Sequence, residues 1–323
     1  MTQSSAPDLH VRALGIVGAG LMGTGIAEVA VAAGFPTVLI KVTEGDPAAA
    51  SARIARALGR RVDKGSLTAE ARDQALGHLT VTSDRDALAG ADLVVESIIE
   101  DLGEKRSLLR DLVQRTGERT VLATNTSTLR LRDLAAPSYQ DRLVGMHFFS
   151  PVPAMSLVEL AHLPGTRPEV TSACHAVIAR MGKTAVPVID SAGFVVNRLL
   201  VPYLVGAIAA YEQGLAGPVE IDTAMRLGCN HPIGPLGLCD LIGLDVVLAM
   251  SKLLYREFSD DRFRPPSLLR RMVHDGQLGR KSGIGFYDYA ASPPSENRGI
   301  LELVRPHHDL EAYAPEQELD SAA

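Results

Sequence analysis

Short, largely apolar runs alternate with longer amphipathic stretches from about residue 12 to residue 190. The runs Ala13–Val17, Val38–Lys41, Leu93–Glu96, Val121–Thr124, Val144–His147 and Ala185–Ile189 have strand length and predict strands. Met22–Ala33, Ala48–Val62 and Glu104–Gln114 each carry an apolar face at helical spacing. Strand–helix alternation implies parallel strands with right-handed crossovers, so an α/β, doubly wound parallel sheet is expected. The strand signal stops after Asp190. "SAGFVVNRLLVPYLVGAIAAYEQG" and "GPLGLCDLIGLDVVLAMSKLLYREF" then predict long, largely buried helices with Gly and Pro marking their ends. The expected organisation is an α/β domain over 1–190, an all-α domain over 191–290, and a polar, proline-bearing C-terminal tail over 291–323.

A chain of 323 residues is long enough for two cores. Its formal net charge of -6 argues against nucleic acid, which is held by clustered Lys and Arg. Three cysteines without CxxC spacing support neither a disulfide framework nor a metal site. The N-terminal "MTQSSAPDLHVR" has no apolar core of signal-peptide length, and Leu199–Tyr211, interrupted by Pro202, is too short to span a bilayer. A cytoplasmic location with no membrane partner is expected.

The first strand runs into Gly18-Ala19-Gly20-Leu21-Met22-Gly23. This G-x-G-x-x-G pattern, between a strand and a helix, predicts a Rossmann-type dinucleotide site. Gly18 makes the tight turn, Gly20 admits a pyrophosphate, and Gly23 lets the helix pack on the strand. The residue ending the second strand ordinarily is an acid that accepts hydrogen bonds from the adenosine ribose. Here it is Lys41, which has donors and no acceptor. NADP is therefore favoured over NAD, with Thr43 near enough to add a hydroxyl. The other readings turn Lys41 to solvent, or give the ribose contact to Glu44.

A nicotinamide enzyme acting on a carbinol needs a proton acceptor, and histidine suits that role. His147 ends a predicted strand in "GMHFFSPVPAMSLVEL", where doubly wound sheets bind ligands. Glu159 follows in a second extended run that can return after Pro151 and Pro153 to bring its carboxylate to the imidazole. Composition alone leaves open a structural histidine and a surface glutamate. Asn125, Thr126 and Ser127 lie at another strand's carboxyl end, where they bind a ligand or cap a helix. Asn197, among apolar residues, needs a partner in a substrate carbonyl or in the neighbouring backbone.

Taken together, "GAGLMGTGIA", "ADLVVESIIEDLGEK", "NTSTL", "GMHFFSPVPAMSLVEL", "GFVVNRLLVPYL", "EIDTAMRLGCNHPIGPLGL" and "GRKSGIGFYDY" resemble the L-3-hydroxyacyl-CoA dehydrogenase family, especially its short-chain 3-hydroxybutyryl-CoA members. The resemblance implies hydride transfer between a nicotinamide cofactor and a 3-hydroxyacyl or 3-oxoacyl thioester. It implies His147 as general base, Glu159 as its partner, and Ser127 and Asn197 on the reacting oxygens. It places Glu100, Lys105 and Lys281 at the cofactor and Lys64 at the CoA portion, although spacing alone favours a solvated helix face for these. A homodimer through the helical domain is also implied. Two positions depart from the family: Ser150 stands where Asn is usual and Ser156 where Lys is usual. They put the acyl group in doubt rather than the reaction.

The competing readings are a dehydrogenase for a hydroxyacyl group on an acyl carrier protein and a catalytically idle dinucleotide-binding scaffold. β-Hydroxyacid dehydrogenases share the glycine loop but use a lysine for proton transfer, and the His147–Glu159 pair argues against them. No G-x-S-x-G elbow supports a serine hydrolase.

Overall fold

The computed structural model describes residues 9–297, 299 and 300. It divides into two compact units that part between Asn197 and Arg198. In the first unit the order is β1 (Leu14–Val17), α1 (Leu21–Ala32), β2 (Thr37–Ile40), α2 (Ala48–Asp63), α3 (Ala69–Gly77), β3 (Leu79–Thr82), β4 (Leu93–Glu96), α4 (Leu102–Arg115), β5 (Val121–Thr124), α5 (Leu131–Leu134), β6 (Leu143–Phe148), β7 (Leu157–His162), α6 (Pro168–Arg180) and β8 (Thr184–Ile189).

The strands form one eight-stranded sheet in the order β3-β2-β1-β4-β5-β6-β7-β8. All neighbours are parallel except β6 and β7, which are antiparallel. β1, β4 and β5 are buried along their whole length. Both faces of these strands are covered, which is why their sequences read as unbroken apolar runs. Side chains still alternate between the faces. Ile16 and Val95 join the core beneath α1 and α2, while Val17 and Val94 join the core beneath α4. The direction of the winding reverses between β1 and β4, so their carboxyl ends open a crevice of the kind in which such sheets bind ligands.

The two sheet edges differ in how legible they are in the sequence. β3 escapes prediction because its "LTVT" is a half-exposed edge strand without an apolar run. β8 keeps its place despite Pro187, since an edge strand tolerates a missing donor.

The second unit holds most of α7 (Val196–Glu212), then α8 (Pro218–Gly228), α9 (Pro235–Ile242), α10 (Leu244–Phe258) and α11 (Ser267–His274). Its core includes Leu204, Ile208, Leu236, Leu244, Val247, Leu268 and Met272. The second long apolar stretch forms two helices rather than the expected one. Gly243 breaks it with a φ of 103°, a conformation that side-chain-bearing residues rarely adopt. The chain also stays folded further than the expected tail boundary. β9 (Tyr287–Asp288) pairs with β10 (Ser295–Glu296), and the buried Asn297 side chain donates to Gly285 O at 2.8 Å. The rest of the expected tail, residue 298 and residues 301–323, lies outside the described residues. Among the described residues no helix is long and apolar enough to cross a membrane.

Candidate active site

The glycine loop joins β1 to α1, and each glycine has its own physical reason. Gly18 sits at a φ of 109°, and a Cβ there would stand 2.4 Å from Ser97 O. A Cβ on Gly23 would stand 1.8 Å from Gly18 O, so helix and loop close only around a hydrogen. A Cβ on Gly20 would meet nothing within 4 Å. The second glycine therefore opens onto free space at the start of α1. That first turn has neither an acidic residue nor a side-chain cap. Its backbone N–H groups are free to face an anion, which suits a dinucleotide pyrophosphate.

Lys41 follows β2 at the same end of the sheet, its amide donating to Thr82 O at 2.9 Å. Its ammonium does not simply point to solvent. It donates to Thr43 O at 2.7 Å, to Thr43 Oγ1 at 2.8 Å and to the Glu44 carbonyl. From α2, the guanidinium of Arg53 reaches across and donates to Ala19 O in the glycine loop at 3.2 Å.

Beneath the β4–α4 connection lies a charged cluster. Lys105 Nζ donates to both oxygens of Glu96 at 2.9 Å and lies 3.4 Å from Glu100 Oε2. Glu96 and Lys105 are 0% and 1% exposed. Glu96 also accepts from Thr124 Oγ1 and from the Ile98 amide. Glu100 Oε1 collects the Thr126 hydroxyl at 2.5 Å, the Ser127 and Thr128 amides at 3.0 Å each, and the Thr128 hydroxyl at 2.8 Å. Burial pushes the Glu100 carboxyl up, but Lys105 and these donors outweigh it and hold it below its ordinary value. The turn after β5 that carries Ser127 is thus wrapped around one carboxylate oxygen.

β6 and β7 are paired so that His147 stands directly opposite Glu159. His147 Nδ1 lies 2.8 Å from Glu159 Oε2, and the residues are 6% and 1% exposed. Glu159 is therefore no surface residue. Its other oxygen accepts the Val195 and Val196 amides at 3.0 and 2.9 Å, the opening of α7. Gly193 and Phe194, both at positive φ, turn the chain so that these amides face the carboxylate. Burial raises the Glu159 carboxyl, while the His147 and backbone bonds lower it further, leaving it below its ordinary value. An ionised Glu159 can only accept, so the proton of a neutral His147 sits on Nδ1 and Nε2 keeps a lone pair. Phe149 and Phe194 flank the imidazole, with ring centres 4.5 and 5.8 Å away. Asn125 Oδ1 accepts the Phe148 amide at 2.9 Å, tying β5 to the end of β6. Asn197 Nδ2 donates to Ser127 O at 3.5 Å. The structure thus brings His147, Glu159, Ser127 and Asn197 into one neighbourhood.

The same chain matches two successive family models: the 3-hydroxyacyl-CoA dehydrogenase NAD binding domain over residues 13–191 and the C-terminal domain over residues 193–289. The chain belongs to the 3-hydroxyacyl-CoA dehydrogenase family. It is 40% identical over 277 residues to a 3-hydroxybutyryl-CoA dehydrogenase of Clostridioides difficile, covering 85% of this chain and 99% of the relative. Against that of Mycobacterium tuberculosis (strain ATCC 25618 / H37Rv) it is 42% identical over 282 residues, covering 86% and 99%. The crystal structure of (S)-3-hydroxybutyryl-CoA dehydrogenase from Ralstonia eutropha superposes with a TM-score of 0.83 at 40% identity, covering 87% of this chain and 100% of the other.

The remaining residues expected at the site of a 3-hydroxyacyl-CoA dehydrogenase are placed as follows. Lys64 ends α2 and is exposed. Lys281 belongs to the second unit, where its ammonium pairs with Asp245. Ser150 is exposed on the β6–β7 connection. Lys105 differs most from expectation. It is on no solvated face, because Glu96 and Glu100 enclose it. Sequence reasoning marks Glu96 only as the last residue of a strand. The available signal is an acid closing an otherwise apolar run, which requires a buried counter-charge.

Proposed function

We propose that this 3-hydroxyacyl-CoA dehydrogenase family member interconverts a 3-hydroxyacyl-CoA and its 3-oxo form, with 3-hydroxybutyryl-CoA and acetoacetyl-CoA as the preferred pair. The observation that carries the reading is the His147–Glu159 pair, set on adjacent strands beside Ser127 and Asn197. A nicotinamide cofactor at the glycine loop supplies or accepts the hydride. In oxidation His147 Nε2 takes the proton of the 3-hydroxyl group, and in reduction it returns that proton to the 3-oxo oxygen. Glu159 holds the imidazole in the required tautomer and offsets its charge once protonated. Ser127 Oγ and the Asn197 amide donate to the substrate's oxygens. Ser150 meets the acyl group and Lys64 the CoA phosphates. Glu100 shapes the Ser127 turn, and Lys105 acts through Glu100.

For the cofactor, NADP is favoured over NAD. β2 is followed by a cation where an acid would accept the ribose hydroxyls, and Arg53 adds a second cation at the glycine loop. A 2′-phosphate would have to draw the Lys41 ammonium from its bonds to Thr43 and Glu44. Spectrophotometric reduction of acetoacetyl-CoA tests both parts. Activity with the CoA thioester well above that with the acyl-carrier-protein thioester supports the substrate reading, and no turnover of either would overturn it. kcat/KM with NADPH is expected to exceed that with NADH, and Lys41→Asp to reverse the order. A clear NADH preference in the parent enzyme would defeat the NADP assignment.

The enzyme is further read as a cytoplasmic homodimer. Cys174, Cys229 and Cys239 are all free thiols, which suits a reducing compartment. The second unit leaves Leu199 and Leu227 exposed on its helices and Leu215 exposed between α7 and α8, and apolar surface of this kind marks interfaces. Sedimentation at micromolar concentration is expected to give the mass of two chains, and a monomer there would remove the dimer.

A further inference from the structure

The β6–β7 connection, residues 149–156, leaves the sheet after Phe148, one residue past His147, and carries Ser150. It has little backbone pairing of its own beyond the Ala154 and Met155 amides, which donate to Pro151 O at 2.9 and 3.1 Å. What fixes it comes from far along the chain. Lys183, just before β8, is 8% exposed and extends its ammonium under the connection. Nζ donates to Val152 O at 2.6 Å and to Met155 O at 2.7 Å. Next to it the Thr184 amide donates to Ser156 O at 2.7 Å.

The opposite side of the turn is held by the dinucleotide helix. Val152 is buried against α1 so closely that a Cβ on Gly25 would stand 2.9 Å from Val152 Cβ. Glu28, further along α1, is buried as well, and Arg61 lies 3.9 Å from it. Burial pulls the Lys183 ammonium below its ordinary value, and Glu28 acts against that pull. Burial of a lysine is unfavourable unless its donors find partners, and these donors go to the two carbonyls of a substrate-side turn.

We propose that Lys183 is a positioning residue for the acyl-CoA substrate: it clamps the Val152–Met155 turn and so fixes Ser150 relative to His147. Lys183 does not touch substrate. The inference rests on the dehydrogenase reading, because the turn matters to turnover only if Ser150 meets the acyl group. A displaced turn costs productive binding more than cofactor binding, since Val152 meets α1 at Gly25, beyond the last glycine of the loop, Gly23. Misplacement by about 1 Å is enough to cost up to roughly 10²-fold in such geometries.

Two measurements on Lys183→Met separate the clamp from the reaction. Hydrogen–deuterium exchange of the peptide spanning 149–157 is expected to quicken, with the glycine-loop peptide unchanged. KM for acetoacetyl-CoA is expected to rise about tenfold or more, with the dissociation constant for the nicotinamide cofactor, measured by fluorescence, within about twofold of the parent. Ser150→Ala should add little in the Lys183→Met background, because its contact is already lost. Faster exchange with an unchanged KM would overturn the positioning role and leave Lys183 a structural lysine; unchanged exchange would overturn the clamp itself. Lys183→Gln, which keeps a donor at shorter reach, covers the case in which the Met variant does not fold. A folded Gln variant with parental exchange and KM counts equally against the proposal. If the parent enzyme turned over no thioester, the functional reading would fall while the exchange result still decided the clamp.

Discussion

Replacing His147 by alanine is expected to lower kcat by about 10²–10⁴-fold, the usual contribution of a positioned general acid–base group. Fold and cofactor binding are expected to survive, because the imidazole is held by one carboxylate and two aromatic rings rather than by the core of the sheet. Turnover within threefold of the parent would remove His147 from the mechanism. Glu159→Gln should lose less activity, since the base remains and only its orientation and charge compensation weaken. The same variant has a stability signature. Glu159 is held below its ordinary value of 4.5, so its contribution is fully present above that pH and is lost as pH falls through the folded value. The difference in Tm between parent and Glu159→Gln should therefore shrink as pH drops below 4.5. A difference that stayed constant, or grew toward acid, would contradict an ionised Glu159 in the folded enzyme.

Lys105→Met is expected to destabilise the first unit by roughly 3–5 kcal/mol, because it leaves Glu96 buried without its counter-charge. The pair lies wholly out of solvent, so this is a desolvation effect rather than the small one of a surface ion pair. Glu96→Gln combined with Lys105→Met should recover part of the loss, since the neutral amide can accept the Ile98 N–H through its one oxygen while its NH2 donates to Thr124 Oγ1. Urea unfolding of the single and double variants measures this. A single-variant loss under about 1 kcal/mol would show that water or a rearranged side chain reaches Glu96. The Ser127 turn should loosen in the same variant, because Lys105 is the charge that faces Glu100.

Much of the architecture follows from local pattern alone. "LGIV", "LVVE" and "VLAT" read as strands because both sheet faces are covered, so burial shows as unbroken apolar runs. The glycine loop is equally legible, since the backbone angle at Gly18 and the close approach at Gly23 allow no side chain there. His147 could be singled out from its place at a strand's carboxyl end, and the family from motifs in order along the chain.

What the pattern could not assign is the partner of each charged group, because a partner depends on which distant segments the fold makes neighbours. Glu159 meets His147 only through the antiparallel register of β7 on β6. The two positive-φ residues before α7 then bring its amides to the second oxygen. Lys105 has the helical spacing of a surface residue, yet the β4–α4 crossover folds it onto Glu96. Lys41 curls onto its own loop, and Lys183 reaches a turn thirty-one residues away in sequence at Val152. Hydrophobic periodicity records how deeply a segment is buried, since burial is a property of the segment itself. Ion pairs and clamps are properties of two segments at once, and only the tertiary structure decides which two.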